Sequence, residues 1–244
     1  MNLLQTRALS RHFGGLQAVR DVDFTLPRGQ IRALIGPNGA GKTTFVSMLC
    51  GRIGASSGQV FFEGRDITAL PAHKRIRLGM AYTFQITSVF ADLSVFENVA
   101  LAVQARLERG QASGGLTGEV MAALERVGLA GRAEQRADAL AYGHQRLLEI
   151  AMGLGQRPKL LILDEPTQGL SDGEIEAFIA LIRGLAGQGD EQTTVLLIEH
   201  NIPVVMALAE RISVLNFGAI IAEGSPDEIH ANGEVQAAYL GGAP

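Results

Sequence analysis

Residues 36–44 read Gly36-Pro37-Asn38-Gly39-Ala40-Gly41-Lys42-Thr43-Thr44, a full match to the spacing G-x-x-x-x-G-K-[ST] of a phosphate-binding loop. The match lies between an apolar run, Ile31–Ile35, and a run of helical period, Phe45–Leu49. Gly39 and Gly41 allow the backbone to curl so that consecutive N–H groups converge on an anion, and the helix that follows adds the positive end of its dipole. On this pattern Lys42 would reach the β- and γ-phosphates of a nucleotide, and the Thr43 hydroxyl would ligate Mg²⁺. A Gly-rich turn before a helix carries no chemistry by itself. The strand, the lysine and the helix in register point instead to nucleotide binding.

A second constellation lies downstream. Leu160-Leu161-Ile162-Leu163-Asp164-Glu165 is an apolar strand ending in two carboxylates, which suits a metal-directed Asp164 and an adjacent general base, Glu165. Alternation along a strand would send the two side chains in opposite directions, one to the metal and the other to water. Solvated carboxylates at a strand end would read the same in isolation, and the phosphate loop upstream favours the metal role.

Between these motifs, Leu140-Ala141-Tyr142-Gly143-His144-Gln145-Arg146 leads into an amphipathic run, Leu147–Leu154. Here the chain resembles the ATP-binding cassette family, whose signature L-S-G-G-Q opens a helix. The order of motifs matches across essentially the whole chain: the phosphate loop, Gln85 in Tyr82-Thr83-Phe84-Gln85, the signature at 140–144, the strand at 160–165, and His200 in Leu197-Ile198-Glu199-His200. The resemblance implies that Phe13 stacks on adenine, and that Gln85 senses the γ-phosphate and Mg²⁺ and couples them to a partner. It also implies that His200 contacts the γ-phosphate and that Ala141, Gly143 and His144 bind ATP. Taken singly, each has a plainer alternative: core for Phe13, a surface amide for Gln85, a locally bonded imidazole for His200. Two departures stand out. Ala141 replaces the signature serine and leaves the work to backbone N–H groups and the helix dipole, and His144 replaces glutamine, changing the donor set. Ser171 also stands where the family often has Asp, next to Asp172.

The elements that must hold these residues follow from periodicity. Strands are predicted at Leu3–Leu9, Val19–Leu26, Ile31–Ile35, Val60–Phe62, Gly79–Phe84, Leu160–Leu163, Thr193–Glu199, Ile212–Leu215 and Ala219–Ala222. From Val95 to about Leu129 the spacing turns helical, broken by a Gly/Ser/Thr-rich loop at Gly110–Gly118, and another helix is predicted over Gly173–Leu185. Alternating strands and helices argue for a parallel sheet covered on both faces, and the strand-rich first quarter for an attached antiparallel part. The expected fold class is α/β, a P-loop NTPase of ABC ATPase type. It has a parallel-sheet core, an N-terminal antiparallel β subdomain and an inserted α-helical subdomain. Residues 1–244 are read as one nucleotide-binding domain, with the core and β subdomain at 1–85 and 159–244 and the helical subdomain at 86–158.

Composition narrows the function classes. With 47% apolar and 19% charged residues and a formal net charge of −4, the chain suggests neither disorder nor a nucleic-acid surface. The single cysteine, Cys50, allows no disulfide framework and is expected as a small buried side chain. Met1–Ser10 has no apolar stretch behind a charged leader, and apolar runs elsewhere stop short of the roughly 18 residues a membrane helix needs. The chain is therefore expected to be soluble and cytoplasmic, and the resemblance implies that it is peripheral on the inner face of the cell membrane through separate transmembrane permease subunits. The resemblance further implies a second ABC ATPase subunit, identical or related, and indirectly a substrate-binding protein. Stretches such as His12–Leu16, Ile198–Asn201 and Glu234–Gly241 resemble the branched-chain amino-acid importer type. A urea or amide importer cassette, or a regulatory ATP-binding protein with little turnover, is the alternative. No Asn-Lys-x-Asp guanine-reading motif supports a GTPase.

Overall fold

A computed structural model of the chain describes residues 2–83, 88–108, 115–186 and 192–240. Two sheets carry the fold. A four-stranded antiparallel sheet combines β1 (Asn2–Phe13), β2 (Leu16–Pro27), β4 (Ser57–Phe62) and the two-residue β5 (Arg65–Asp66) in the order β2-β1-β4-β5. The second, six-stranded sheet takes β3 (Ile31–Ile35), β6 (Met80–Thr83), β7 (Leu160–Asp164), β8 (Thr194–Ile198), β9 (Arg211–Asn216) and β10 (Ala219–Gly224), in the order β10-β9-β3-β8-β7-β6. All its neighbouring pairs are parallel except β9–β10.

The central strands β7 and β8 are apolar along nearly their whole length because both faces are covered, whereas β3 carries Arg32, which is paired with Ser213 and Glu223. In β7, Leu161 and Leu163 join the cluster beneath the helices, whereas Leu160 and Ile162 join the cluster shared with the antiparallel sheet. The same alternation sends Val195 and Leu197 of β8 one way and Leu196 and Ile198 the other. The helices between β6 and β7 are α3 (Val95–Leu107), α4 (Leu116–Arg126) and α5 (Tyr142–Gly155). Ser94 and Glu97 form a reciprocal capping box that starts α3. The predicted loop Gly110–Gly118 ends earlier than expected, since Leu116–Gly118 already form the first turn of α4; residues 109–114 lie outside the described residues. The predicted strand at Gly79–Phe84 is observed as Met80–Thr83, and Phe84 is likewise outside. After β7 come α6 (Asp172–Ala186), α7 (Ile202–Leu208), α8 (Pro226–His230) and α9 (Gly233–Leu240). Among the described residues no helix is long and apolar enough to cross a membrane.

Helix α1 (Lys42–Leu49) begins three residues before the predicted run, directly at the lysine of the phosphate loop. Its far end is held by a buried cation from α2 (Ala72–Arg77), a helix without a sequence signal of its own. Arg75 donates to the carbonyls of Met48 at 2.8 Å and Leu49 at 2.7 Å, and also to Leu70 and Thr68 at 2.8 and 3.0 Å. A guanidinium at this end satisfies orphan carbonyls and complements the helix dipole. Cys50, the C-cap of α1, is buried, and burial pushes its thiol up to about 12.

Replacing Arg75 by Leu would therefore remove a charged donor from four carbonyls, those of Met48 and Leu49 in buried bonds. We expect a loss of roughly 2–4 kcal/mol in urea unfolding. An unchanged midpoint would show that α1 does not depend on this anchor.

Candidate active site

In a parallel sheet every strand ends at the same edge, and loops leaving that edge form the crevice in which ligands bind. Here the adjacent order β3-β8-β7 brings three loops together: 36–41 after β3, 199–201 after β8 and 165–171 after β7. The phosphate loop curls as its glycines allow. Gly36, Gly39 and Gly41 have φ of 153°, 78° and 103°, and a Cβ on Gly41 would lie 2.3 Å from the Ala18 carbonyl oxygen. Gly36 and Ala40 are buried, Asn38 and Gly39 exposed, and Pro37 intermediate. The loop is braced by Gly218, whose N–H donates to the Ala40 carbonyl at 2.9 Å.

Lys42 folds back on the loop, donating from Nζ to the carbonyls of Gly36 at 2.7 Å and Pro37 at 3.1 Å. Burial holds its pKa below the usual lysine value, partly offset by the nearby charges of Glu165 and Asp164. Thr43 is exposed at the start of α1, with Thr44 beside it.

Asp164 closes β7, is almost fully buried and accepts a 2.7 Å hydrogen bond from the Tyr82 hydroxyl. Burial raises its carboxyl above the usual carboxylate value; Tyr82 and Lys42 oppose that rise, and Glu165 adds to it. Glu165 departs from the expected strand alternation. The strand ends at Asp164, and Glu165 has φ of +49°, a left-handed conformation rare outside glycine. Its N–H donates to Ile198 at 2.8 Å, which ties it to the end of β8. The turn sets its Oε1 3.8 Å from Nδ1 of His200, whose side chain is 58% exposed.

Two residues of this edge carried no role in the sequence reading. Tyr82 stands on β6, two strands from β8, and its alignment with Asp164 is visible only once β6 is known to flank β7. Glu199 was quoted within the histidine motif without an assignment. It is 1% exposed and accepts bonds from both Thr167 and the His200 loop.

The remaining predicted positions fall elsewhere. Phe13 ends β1 at 45% exposure, so it is not core, and the Arg11 guanidinium lies over its ring at 4.6 Å. Gln85 lies outside the described residues. Ala141 is the N-cap of α5 and makes no side-chain cap bond. The near neighbours of the signature are in the segment after β7. A Cβ on Gly143 would meet the Glu174 carboxylate, and a Cβ on Gly169 would meet the Tyr142 ring. Glu174 accepts from Ser171 N and Oγ, bonds that hold its carboxyl below the usual range, with the nearby His144 a lesser influence.

This combination of a phosphate loop, a strand-end acid pair and a strand-end histidine on a P-loop core defines an ATPase of the cassette class. The comparisons agree at the level of sequence and shape. The ABC transporter family profile matches residues 19–168, and that of the branched-chain amino acid ATP-binding cassette transporter matches residues 219–244. The chain is 39% identical to the high-affinity branched-chain amino acid transport ATP-binding protein LivG of Salmonella typhimurium, covering 99% of this chain and 98% of that one. It is 38% identical to BraF of Pseudomonas aeruginosa over the same shares. A nucleotide-free ATP-binding cassette from an ABC transporter superposes with a TM-score of 0.88 at 25% identity, over 99% of this chain and 100% of that one. The ADP conformation of an ATP-binding cassette of an ABC transporter gives 0.88 at 26%, over 99% of each chain. The chain belongs to the ABC transporter family, on its branched-chain amino-acid ATP-binding branch, and it is an ATPase.

The raised Asp164 carboxyl has a consequence for stability. Between the ordinary carboxylate value and the raised one, the folded protein holds this proton more tightly than the unfolded chain, so this group's contribution falls as pH rises through that window. Asp164→Asn is expected to melt higher than the parent at neutral pH without nucleotide, with the gap closing below the carboxylate range. If Asp164 serves the nucleotide, the same substitution should also cost about 10²-fold or more in ATP hydrolysis. Equal melting temperatures at pH 7 would refute the burial argument.

Proposed function

We propose that this chain is the ATP-binding subunit of an importer of branched-chain amino acids, working as a pair of cassettes beneath separate membrane permease subunits. The observation that carries the reading is the meeting of Lys42, Asp164, Glu165 and His200 at one sheet edge, in a chain nearly coextensive with LivG and BraF. In this assignment the backbone N–H groups of Gly39–Thr43 and the Lys42 ammonium cradle the β- and γ-phosphates. The face of Phe13 takes the adenine.

The donor chemistry suits Mg²⁺, a hard cation that prefers a few protein oxygens together with phosphate and water. Thr43 offers a hydroxyl, and Asp164 a carboxylate whose charged form burial opposes, a penalty that an adjacent cation relieves. Gln85 is the third oxygen donor assigned to it. Bound Mg²⁺ supplies charge neutralisation at the phosphate oxygens. Glu165 orients the attacking water and accepts its proton. His200, whose Nδ1 lies 3.8 Å from that carboxylate, steadies the γ-phosphate beside it.

Residues 1–85 and 159–244 form the catalytic core with its β subdomain in this reading, and 86–158 the helical subdomain. Ala141, Gly143 and His144 close over the ATP held by the other cassette. A groove of about 260 Å³ runs between the core and the helices, lined in part by Arg52, Ile76, Tyr82, Thr83, Ser88 and Met152. It is the surface we assign to a permease segment, because Tyr82 joins it directly to Asp164. A substrate-binding protein delivers the cargo to the permease without touching this chain, and no nucleic acid takes part. The cassette then sits on the inner face of the cell membrane.

Glu165→Gln removes the base and leaves the shape, so turnover should fall by about 10²–10⁴-fold while ATP now traps a dimer on size exclusion. A variant hydrolysing ATP at the parent rate would overturn the assignment of Glu165. Ala141→Ser restores a helix cap worth about 0.5–2 kcal/mol and a hydroxyl toward the partner's nucleotide. We expect a higher melting temperature and tighter ATP-dependent dimerisation, measured by sedimentation. Unchanged dimerisation would argue against a signature role for this position.

A further inference from the structure

Glu199 is an acidic side chain with no contact to solvent, placed one residue before the histidine and directly after β8. Isolated carboxylates are not buried without compensation. The compensation here is specific. Oε1 accepts the Thr167 N–H at 3.0 Å and the Thr167 hydroxyl in a short contact, while Oε2 accepts the N–H of His200 at 2.9 Å and of Asn201 at 3.0 Å. One oxygen therefore serves the segment after β7 and the other serves the loop after β8.

A carboxylate offers about four acceptor sites and no donor, and it meets four donors. A glutamine in its place would present one acceptor oxygen and turn an amide NH₂ toward N–H groups. The charge also makes these bonds shorter and stronger than neutral ones. Thr167 lies two residues beyond Glu165, and His200 follows Glu199 directly. The 3.8 Å separation between Glu165 Oε1 and His200 Nδ1 is thus spanned by a single rigid link through Glu199.

We propose that Glu199 is a positioning residue for ATP hydrolysis, fixing the His200 loop against the segment that carries Glu165 so that base and imidazole meet the γ-phosphate together. The inference rests on the roles given above to Glu165 and His200. It deepens that reading by naming the group that couples them.

The test is a mutant cycle on the full chain: parent, Glu199→Gln, His200→Ala and the double variant, with steady-state ATPase, equilibrium ATP binding and thermal melting. Glu199→Gln is expected to lower kcat by about 10–100-fold, as loss of fixed geometry does, with KM for ATP within about threefold. The double variant should be no more than about threefold slower than His200→Ala alone, because the two residues act as a unit. A parent-like kcat in Glu199→Gln, or independent and additive losses in the double variant, overturns the proposal. Should Glu199→Gln fail to fold, Thr167→Val decides: it removes one donor and should lower kcat by about 3–10-fold, again without adding to His200→Ala, and a parent-like kcat rejects the role. If His200→Ala itself runs at the parent rate, the assignment of His200 falls and takes this inference with it. A slow His200→Ala beside a parent-like Glu199→Gln removes only the role of Glu199.

Discussion

The parallel adjacency of β3, β8 and β7 is the constraint on which everything at this site depends. Residues far apart in sequence, Lys42, Asp164 and His200, can share a phosphate only if their strands stop at one edge in neighbouring positions. The register makes this sharp: Asp164 pairs with Ile198, and Leu34 pairs with the same Ile198 from the other side. A slip of one residue between β7 and β8 would exchange the buried faces of β7 and point Asp164 into the apolar layer. The N–H of Glu165, donating to Ile198, adds one further contact beyond the ladder and brings the acid pair to the mouth of β8.

That edge concentrates charge where solvent is scarce, and each charge is held by different means. Lys42 leans on its own loop's carbonyls, and Asp164 on a tyrosine hydroxyl. Burial works against the charged form of both. In the proposed site, a triphosphate next to the ammonium and a cation next to the carboxylate would reverse both penalties at once, so part of the unfavourable electrostatics would reappear as affinity. Glu199 differs in kind: its oxygens accept from Thr167, His200 and Asn201, so it ties together two loops of the protein itself.

Much of this was legible from residue types. The loop at 36–44, the apolar strand that runs into Asp164 and the apolar runs of the central strands each follow from short-range pattern, and the observed strands differ from expectation mainly at their ends. What pattern cannot report is who faces whom across the sheet. Tyr82 reads as one more aromatic in a strand until β6 is seen beside β7. Glu199 reads as the polar end of an apolar run until its two loops are in place. The expected alternation of Asp164 and Glu165 failed for a local reason, because the chain leaves the strand between them and turns through a left-handed residue. Short helices such as α2 also escaped notice, since its six residues hold to the core through one arginine and not through an apolar stripe.

The signature helix carries the last step of the argument. Within one chain α5 packs on α3, α4 and β6, and its first turn lies against Gly169 and Glu174 in the segment after β7. A helix of this length has a positive end that favours an anion, and Ala141 supplies no side-chain cap to occupy it. The acidic neighbour there, Glu174, is engaged by Ser171. The phosphate loop, for its part, presents exposed Asn38 and Gly39 outward from the sheet edge. Two surfaces that both favour the same triphosphate, one on the core and one on the helices, are best satisfied by a two-fold pair in which each chain offers its loop to the other's helix. In the proposed pair, closure would need nucleotide on both sides, and loss of the γ-phosphate would remove the attraction from each half together, the step by which hydrolysis would be felt at the groove assigned to a permease segment beside Tyr82.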